Sequence, residues 1–345
     1  MVYNLVMKFI KKLVIVLLVL LLTGCSQVKQ YTAYTVYPVG YLLNRIAGNR
    51  ISTISVQDNA IIERAKPIDN FEEVIDDSFY FFHIGDLEPY LEMYADKLNT
   101  SDVVNVDLSL LNAIYKFQRY TRVSSGGVET YIESPYYDGE CFDDIDTYDF
   151  DLFLWLDPSG MLSMAKDVYD TLSSNFVEQS PFFKENYNTL YTELTTLEAS
   201  YQQLSTKLKA DNKIVKFVSM TPSFGAWQKS YGFSIYPVCL SKYGTIPSDE
   251  QLAIIKQRII DDGVKYIAYE PNMSEEMNSL FTSLEHELGL KRINLSNLSS
   301  LTTSQAQEGK DYFSIMYENL SVLENIAVSV TVPVEEIPEE SEVNE

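Results

Sequence analysis

The sequence predicts an α/β protein of two lobes, each built on a central parallel sheet, joined by one long helix. Apolar, strand-like runs alternate with helix-period segments between residues 31 and 98, the pattern of a parallel α/β lobe. A second alternating series occupies residues 213–296. Between the two lies the longest periodic segment, opened by Pro181. In it Tyr187, Leu190, Leu194, Leu197, Tyr201, Leu204 and Leu208 recur at steps of three and four, giving one apolar face over about six turns. This helix is read as the connection between the lobes, an ordinary surface helix of one large domain being the alternative.

In the first lobe "YTAYTVYPV" reads as a strand, "GYLLNRIAG" as a short helix closed by Gly48, and "RISTISV" as a second strand. "DSFYFFHIG" follows as a buried strand and "DLEPYLEMYADKL" as a helix. "MLSMAKDVYDTLSSNF" is helical and leads into the long helix. In the second lobe "KIVKFVSM", "VKYIAYE" and "KRINLS" are strands, while "FGAWQKSYG", "SDEQLAIIKQRIIDDG" and "MNSLFTSLEHELG" are helices. "DYFSIMYENLSVLENIAVSV" is a last helix, and the tail beyond it, with six Glu and two Pro, has the charge and composition of disorder. The expected limits are 1–24 signal peptide, 25–180 N-terminal lobe, 181–210 linking helix, 211–330 C-terminal lobe and 331–345 acidic tail.

The first residues carry a secretory signal. Lys8, Lys11 and Lys12 precede an apolar run from Leu13 to Leu22 that ends in "LTGC", a lipobox. A membrane-spanning helix needs about 20 apolar residues, more than this run supplies. Cleavage makes Cys25 the N-terminal residue, and acyl chains on its sulfur anchor the protein at about 0.8 kcal/mol per buried CH2. An uncleaved anchor is the alternative. The expected location is therefore the extracytoplasmic face of the cell membrane, with membrane lipid held through Cys25.

The roughly 320 residues that follow suit two domains with substantial cores. The full chain has 26 basic and 49 acidic residues, a net charge of −23; loss of three lysines and no acid takes the mature chain to −26. Such a surface repels nucleic acid and favours cations. Cys141 and Cys239 remain after lipidation, and an oxidising compartment permits either a disulfide or two free thiols. Neither has a Cys or His at zinc-ligand spacing.

"TVYPVGYLLNRIAGNRISTISV", "DLFLWLDP", "SFGAWQKSYGF", "IPSDEQLAIIKQRIIDDGVKYIAYEP" and "DYFSIMYENLSVL", in this order after a lipobox, resemble the zinc/manganese substrate-binding lipoproteins of metal ABC transporters. The similarity spans nearly the whole mature chain. It implies two lobes joined by a rigid helix, a ligand cleft between them, Zn or Mn as cargo, an ABC permease as membrane partner and a monomeric state.

The resemblance also implies four metal-ligand positions, and each is substituted here. The first falls near Ala60 or Ile61 in "QDNAIIERAKPID", the second at Phe153, the third at Thr221 and the fourth at Ser296. Zn²⁺ requires imidazole, thiolate or carboxylate in a near-tetrahedral set, and Mn²⁺ accepts imidazole with carboxylates. Phe153 and Ile61 offer no lone pair, and hydroxyls are poor substitutes. The inherited site is expected to bind no transition metal tightly, which leaves the cargo open.

Two histidines exist. His286, inside "FTSLEHELG", reads as a solvated helix residue. His83 ends "FYFFH" and Glu270 ends "VKYIAYE", and carboxyl ends of parallel strands face the ligand crevice. Both are candidate substitute metal ligands, with a hydrogen-bonded core histidine and an acid beside a helix start as the structural alternatives. The acidic stretch "YYDGECFDDIDTYDFD", containing Asp138, Glu140, Asp143, Asp144, Asp146, Asp149 and Asp151, lacks the glycine and final Glu of an EF-hand. It reads as a solvated loop or as a weak collector of cations beside the cleft.

Two functions remain. One is the lipid-anchored receptor of an ABC importer; the other is a cell-surface interaction or adhesion protein that kept the fold and lost transition-metal binding. An enzyme is not expected, because no Ser-His-Asp set, Gly-rich phosphate loop or "HExxH" occurs.

Overall fold

A computed structural model describes residues 29–110, 114–125 and 128–330. The signal segment 1–24, Cys25 and the acidic tail 331–345 lie outside the described residues. Among those described, no helix is long and apolar enough to cross a membrane.

The N-terminal lobe begins with strand β1 (Tyr31–Tyr34), followed by helix α1 (Tyr37–Ala47), strand β2 (Thr53–Ser55), helix α2 (Phe71–Asp76), strand β3 (Ser78–His83), helix α3 (Ala95–Thr100) and strand β4 (Val104–Asp107). Pro38 sits in the first turn of α1, where its missing N–H costs nothing, and Gly48 ends the helix at a φ of 57°. "YPV" therefore opens a helix instead of extending the first strand. The strands pair in parallel in the order β2-β1-β3-β4. "DLEPYLEMYADKL" is less regular than its pattern predicts, since Pro89–Tyr94 form 3-10 turns before α3.

Helix α4 (Pro158–Asn175) leads to the long helix α5 (Ser180–Ala210). Its 31 residues span roughly 46 Å at 1.5 Å per residue. The predicted face is the buried one, through Leu190, Leu194, Leu197, Tyr201, Leu204 and Leu208, with Phe183 added at the start. This face packs on α1 and α4 at one end and on C-terminal lobe helices at the other, within one continuous core. Replacing any of these leucines by Ala would cost about 2–5 kcal/mol.

The C-terminal lobe contains β7 (Lys213–Ile214), β8 (Lys216–Ser219), α6 (Ala226–Tyr231), β9 (Ser234–Pro237), α7 (Asp249–Asp261), β10 (Tyr266–Tyr269), α8 (Glu275–Glu287), β11 (Lys291–Asn294), α9 (Thr303–Gln307), α10 (Tyr312–Asn325) and β12 (Val328–Ser329). Its parallel sheet runs β11-β10-β8-β9, and β7 pairs antiparallel with β12. Capping boxes at Ser248 and Asp311 start α7 and α10 by satisfying orphan amides. Helix α10 returns to the first lobe, where Tyr41 donates to Asp311 at 3.2 Å.

One element has no counterpart in the sequence reading. Strands β5 (Arg119–Ser125) and β6 (Val128–Ser134) form an antiparallel hairpin that lies against the C-terminal lobe. The Tyr131 hydroxyl donates to the Lys229 carbonyl at 2.6 Å, and Arg119 pairs with Asp262 at 3.3 Å. Tyr136 and Tyr137, just beyond it, enter the C-terminal lobe's apolar cluster with Val218 and Ile255. Residues 119–137 thus belong by sequence to the first lobe and by packing to the second.

Candidate functional site

Each parallel sheet has a point where strand order reverses. In one it lies between β1 and β3, in the other between β8 and β10. Ligand crevices of open α/β sheets form outside the carboxyl ends of such strands. Thr35 follows β1 and Glu88 lies five residues past β3; Thr221 lies two residues past β8 and Glu270 immediately follows β10. Both lobes therefore place a threonine and a glutamate at the same topological spot, and all four residues are buried at 1% exposure or less.

Glu270 is held by four donors. Its Oε1 accepts the backbone amides of Met220 at 2.8 Å and Thr221 at 3.0 Å. Its Oε2 accepts the Thr221 hydroxyl and Asn297 Nδ2, the latter at 3.2 Å. Burial pushes this carboxyl up to about 7, while the four hydrogen bonds pull the other way by favouring the ionised form. The carboxylate joins β8, β10 and the 296–300 segment, with its lone pairs engaged inside its own lobe.

The opposite lobe contrasts with this. Neither oxygen of Glu88 completes a hydrogen bond, and burial pushes it up to about 8 against a partial pull from the nearby Thr35 hydroxyl. Glu63, at 6% exposure in the 3-10 turn Ile62–Arg64, has an unpartnered Oε1. Burial, reinforced by the charge of Glu270, takes Glu63 to about 8. Its neighbour Arg64 donates to the Gly244 carbonyl at 2.9 Å, fastening this turn onto the C-terminal lobe. Tyr148 donates to the Leu87 carbonyl at 2.9 Å and feels the charges of both Glu63 and Glu88. Asp151 adds a further buried carboxyl, with Oδ2 unpartnered and burial raising it to about 7. Burial thus shifts Glu63, Glu88 and Asp151 toward the protonated form, while Glu270 is held against that shift by its four donors. Buried polar atoms without partners are rare, and several in one seam mark a place built for something more than packing.

The four positions singled out by motif matching are all buried. Ile61 packs into the C-terminal lobe's apolar cluster at 1% exposure, and the turn it opens directs Glu63 into the seam. Phe153 stands between Tyr148, at 6.3 Å between ring centroids, and Trp155, at 5.4 Å. Thr221 is committed to Glu270, and the backbone of Ser296 is clasped by Asn319 through paired hydrogen bonds of 3.0 and 2.8 Å. The "WLDP" run is an inter-lobe joint: Trp155 Nε1 donates to the Asn297 carbonyl at 2.7 Å, Trp227 Nε1 donates to the Leu156 carbonyl at 2.8 Å, and Asp157 caps α4.

His83 sits at the end of β3, where its Nδ1 lies 2.9 Å from the Gly85 carbonyl and its ring stacks on Phe81. No hydrogen bond or ion pair among the described residues joins it to Glu270. His286 is exposed. Cys141 and Cys239 are both free thiols, the second buried and pushed up to about 12 by burial and by the charges of Glu63 and Glu270. Among the described residues no three His, Cys, Asp or Glu side chains converge as a metal-ligand set. Glu63, Glu88 and Tyr148 escaped the sequence reading. The signal that could have found Glu63 was an acid inside an otherwise apolar "AIIERA" segment.

Residues 33–326 match the family described as ZnuA, zinc-uptake complex component A, periplasmic. The zinc-binding protein AdcA of Streptococcus pyogenes serotype M1 is 30% identical over 174 residues, 50% of this chain and 32% of that protein. The matched stretch thus spans about a third of that curated relative. The Zn(II)-bound ZnuA-like domain of Streptococcus pneumoniae AdcA superposes with a TM-score of 0.63 at 21% identity, covering 86% of this chain and 98% of that one. The laminin-binding protein Lmb of Streptococcus agalactiae, described as bifunctional with adhesin and metal transporting activity, superposes with a TM-score of 0.66 at 18% identity, covering 86% and 99%.

Proposed function

Because the chain belongs to the ZnuA family of periplasmic zinc-uptake components, we propose that it is the extracytoplasmic substrate-binding protein of an ABC importer, anchored by lipid on Cys25 and presenting cargo from the seam between its lobes to a membrane permease. The observation that carries this reading is that a buried acid lies past each strand-order reversal, Glu88 in one lobe and Glu270 in the other, with Glu270 close enough to Glu63 of the opposite lobe to act on its charge. The limits 25–180, 181–210 and 211–330 describe its lobes and linking helix, with the 119–137 excursion crossing from the first to the second.

The cargo site departs from a tetrahedral transition-metal cage. Phe153 supplies no lone pair and the Thr221 hydroxyl is spent on Glu270, while His83 meets the Gly85 carbonyl through Nδ1 and keeps a buried, unpartnered Nε2. The unpartnered donors are carboxyl oxygens of Glu63, Glu88 and Asp151, which suit hard cations better than Zn²⁺, and a single imidazole nitrogen, that of His83. The alternative reading, adhesion after loss of transition-metal binding, is supported by this same loss of donors.

Two measurements test the reading separately. Zn²⁺ or Mn²⁺ at micromolar concentration should leave the melting temperature unchanged, whereas a ligand at 100 times its Kd would add about 2.7 kcal/mol. A clear upward shift with Zn²⁺ would overturn the loss of the cage. Crosslinking of the full-length protein in its native membrane should capture an ABC permease; capture of extracellular matrix protein alone would favour adhesion.

A further inference from the structure

Six of the seven acids in the acidic stretch are exposed, but its backbone and apolar side chains are fastened to the C-terminal lobe. Tyr137 donates to the Pro237 carbonyl at 2.9 Å, the Gln251 side chain donates to the Cys141 carbonyl at 2.5 Å, and the Lys242 amide donates to the Asp146 carbonyl at 2.9 Å. These bonds hold residues 142–146 across from the 238–251 segment, and between them opens a pocket of about 290 Å³. Its walls include Phe142, Ile145, Leu240, Ile246 and Pro247, and Asp144 and Asp146 stand at its rim. The pocket is separate from the buried acids of the seam.

We propose that this pocket binds a small organic cation, an amine or guanidine with an apolar body, with Asp144 as its counter-ion. The volume is close to the lower end of small-molecule sites, which are mostly apolar with a few placed polar groups. Asp144 makes no hydrogen bond or ion pair among the described residues, so its charge is available. Asp146 is already neutralised by Lys242, whose ammonium lies 3.5 Å away and 5.2 Å from the Tyr243 ring centroid, which leaves Asp144 as the unpaired charge on the pocket wall. A bare metal ion fits the site poorly, since Ca²⁺ takes six to eight oxygen ligands and Phe142, Ile145, Val238, Leu240, Ile246 and Pro247 present hydrocarbon to the pocket. Lys242 also reaches Glu92 of the N-terminal lobe at 3.1 Å, so a bound cation would sit on a segment that touches both lobes.

The test is titration of the mature chain with phenethylamine and with phenethyl alcohol, its uncharged counterpart of similar shape, followed by methyl and aromatic NMR shifts. The amine should perturb Ile145, Ile246 and Phe142 and should bind more tightly than the alcohol. Asp144→Asn, an exposed and shape-conserving change, should weaken amine binding about threefold to tenfold and leave the alcohol unaffected. Equal binding of amine and alcohol would reduce the site to an apolar dimple. Displacement of the amine by equimolar Ca²⁺ would show only an acidic surface. Absence of shifts at Ile145 and Ile246 up to about 10 mM amine would overturn the proposal.

Discussion

Thr221 reaches Glu270 twice, donating its backbone amide to one carboxylate oxygen at 3.0 Å and its hydroxyl to the other. A side chain that matches a metal-ligand position by motif is thereby converted into a clamp between two parallel strands. Its loss has a calculable consequence. Thr221→Val keeps the shape, removes one donor to a fully buried carboxylate and should cost about 1–3 kcal/mol in denaturant unfolding. A change below about 0.5 kcal/mol would show that the Glu270 oxygen finds another partner.

The seam acids make stability depend on pH. Glu63 and Glu88 are raised from 4.5 to about 8, and Asp151 and Glu270 are raised to about 7. A carboxyl raised in the folded state favours folding in its protonated form, so this contribution is fully present below about pH 4 and is lost as pH rises toward 8. Glu63→Gln has no proton to lose. Its melting temperature should exceed that of the parent at pH 8.5 and match or fall below it at pH 5, and identical pH profiles would refute the buried, protonated assignment.

The inter-lobe joint can be weakened at one atom. Trp155→Phe removes the indole donor to the Asn297 carbonyl and leaves a cavity in a site with no exposure. It should cost about 2–4 kcal/mol in a guanidinium midpoint measurement. If Trp155 were peripheral to the joint, the midpoint would not move.

The proposed lipid anchor is a single sulfur, that of Cys25. Cys25→Ser should move the protein from the membrane fraction to the medium or periplasm. Retention after a carbonate wash would mean that residues 9 to 22 are themselves the anchor.

The periodic parts of the chain were legible because their signal is local. The α5 face from Leu190 to Leu208 was read at the right residues, as were the starts of α7 and α10, since helix period and caps are written within a few positions. The hairpin at 119–134 was not, because Tyr120, Tyr131 and Arg119 find their partners, Gln228, Lys229 and Asp262, 98 to 143 residues away. "DLEPYLEMYADKL" was read as one helix because its apolar spacing fits, but Pro89 and the turn toward β4 break it.

By itself the sequence determined the lobes, the helix between them and the family, each a sum of many local patterns that no single substitution erases. Which carboxyl faces the seam was decided only by the tertiary structure. Residues 58–67 have no period from which a side chain's direction can be read, and it is the docking of Arg64 on Gly244 that turns Ile61 into the core and Glu63 toward Glu270. Likewise, nothing local distinguishes the seven acids of the 138–151 stretch. Long-range packing buries Asp151 at 6% exposure and leaves Asp144 exposed at the mouth of a pocket, because burial depends on what the rest of the chain brings alongside.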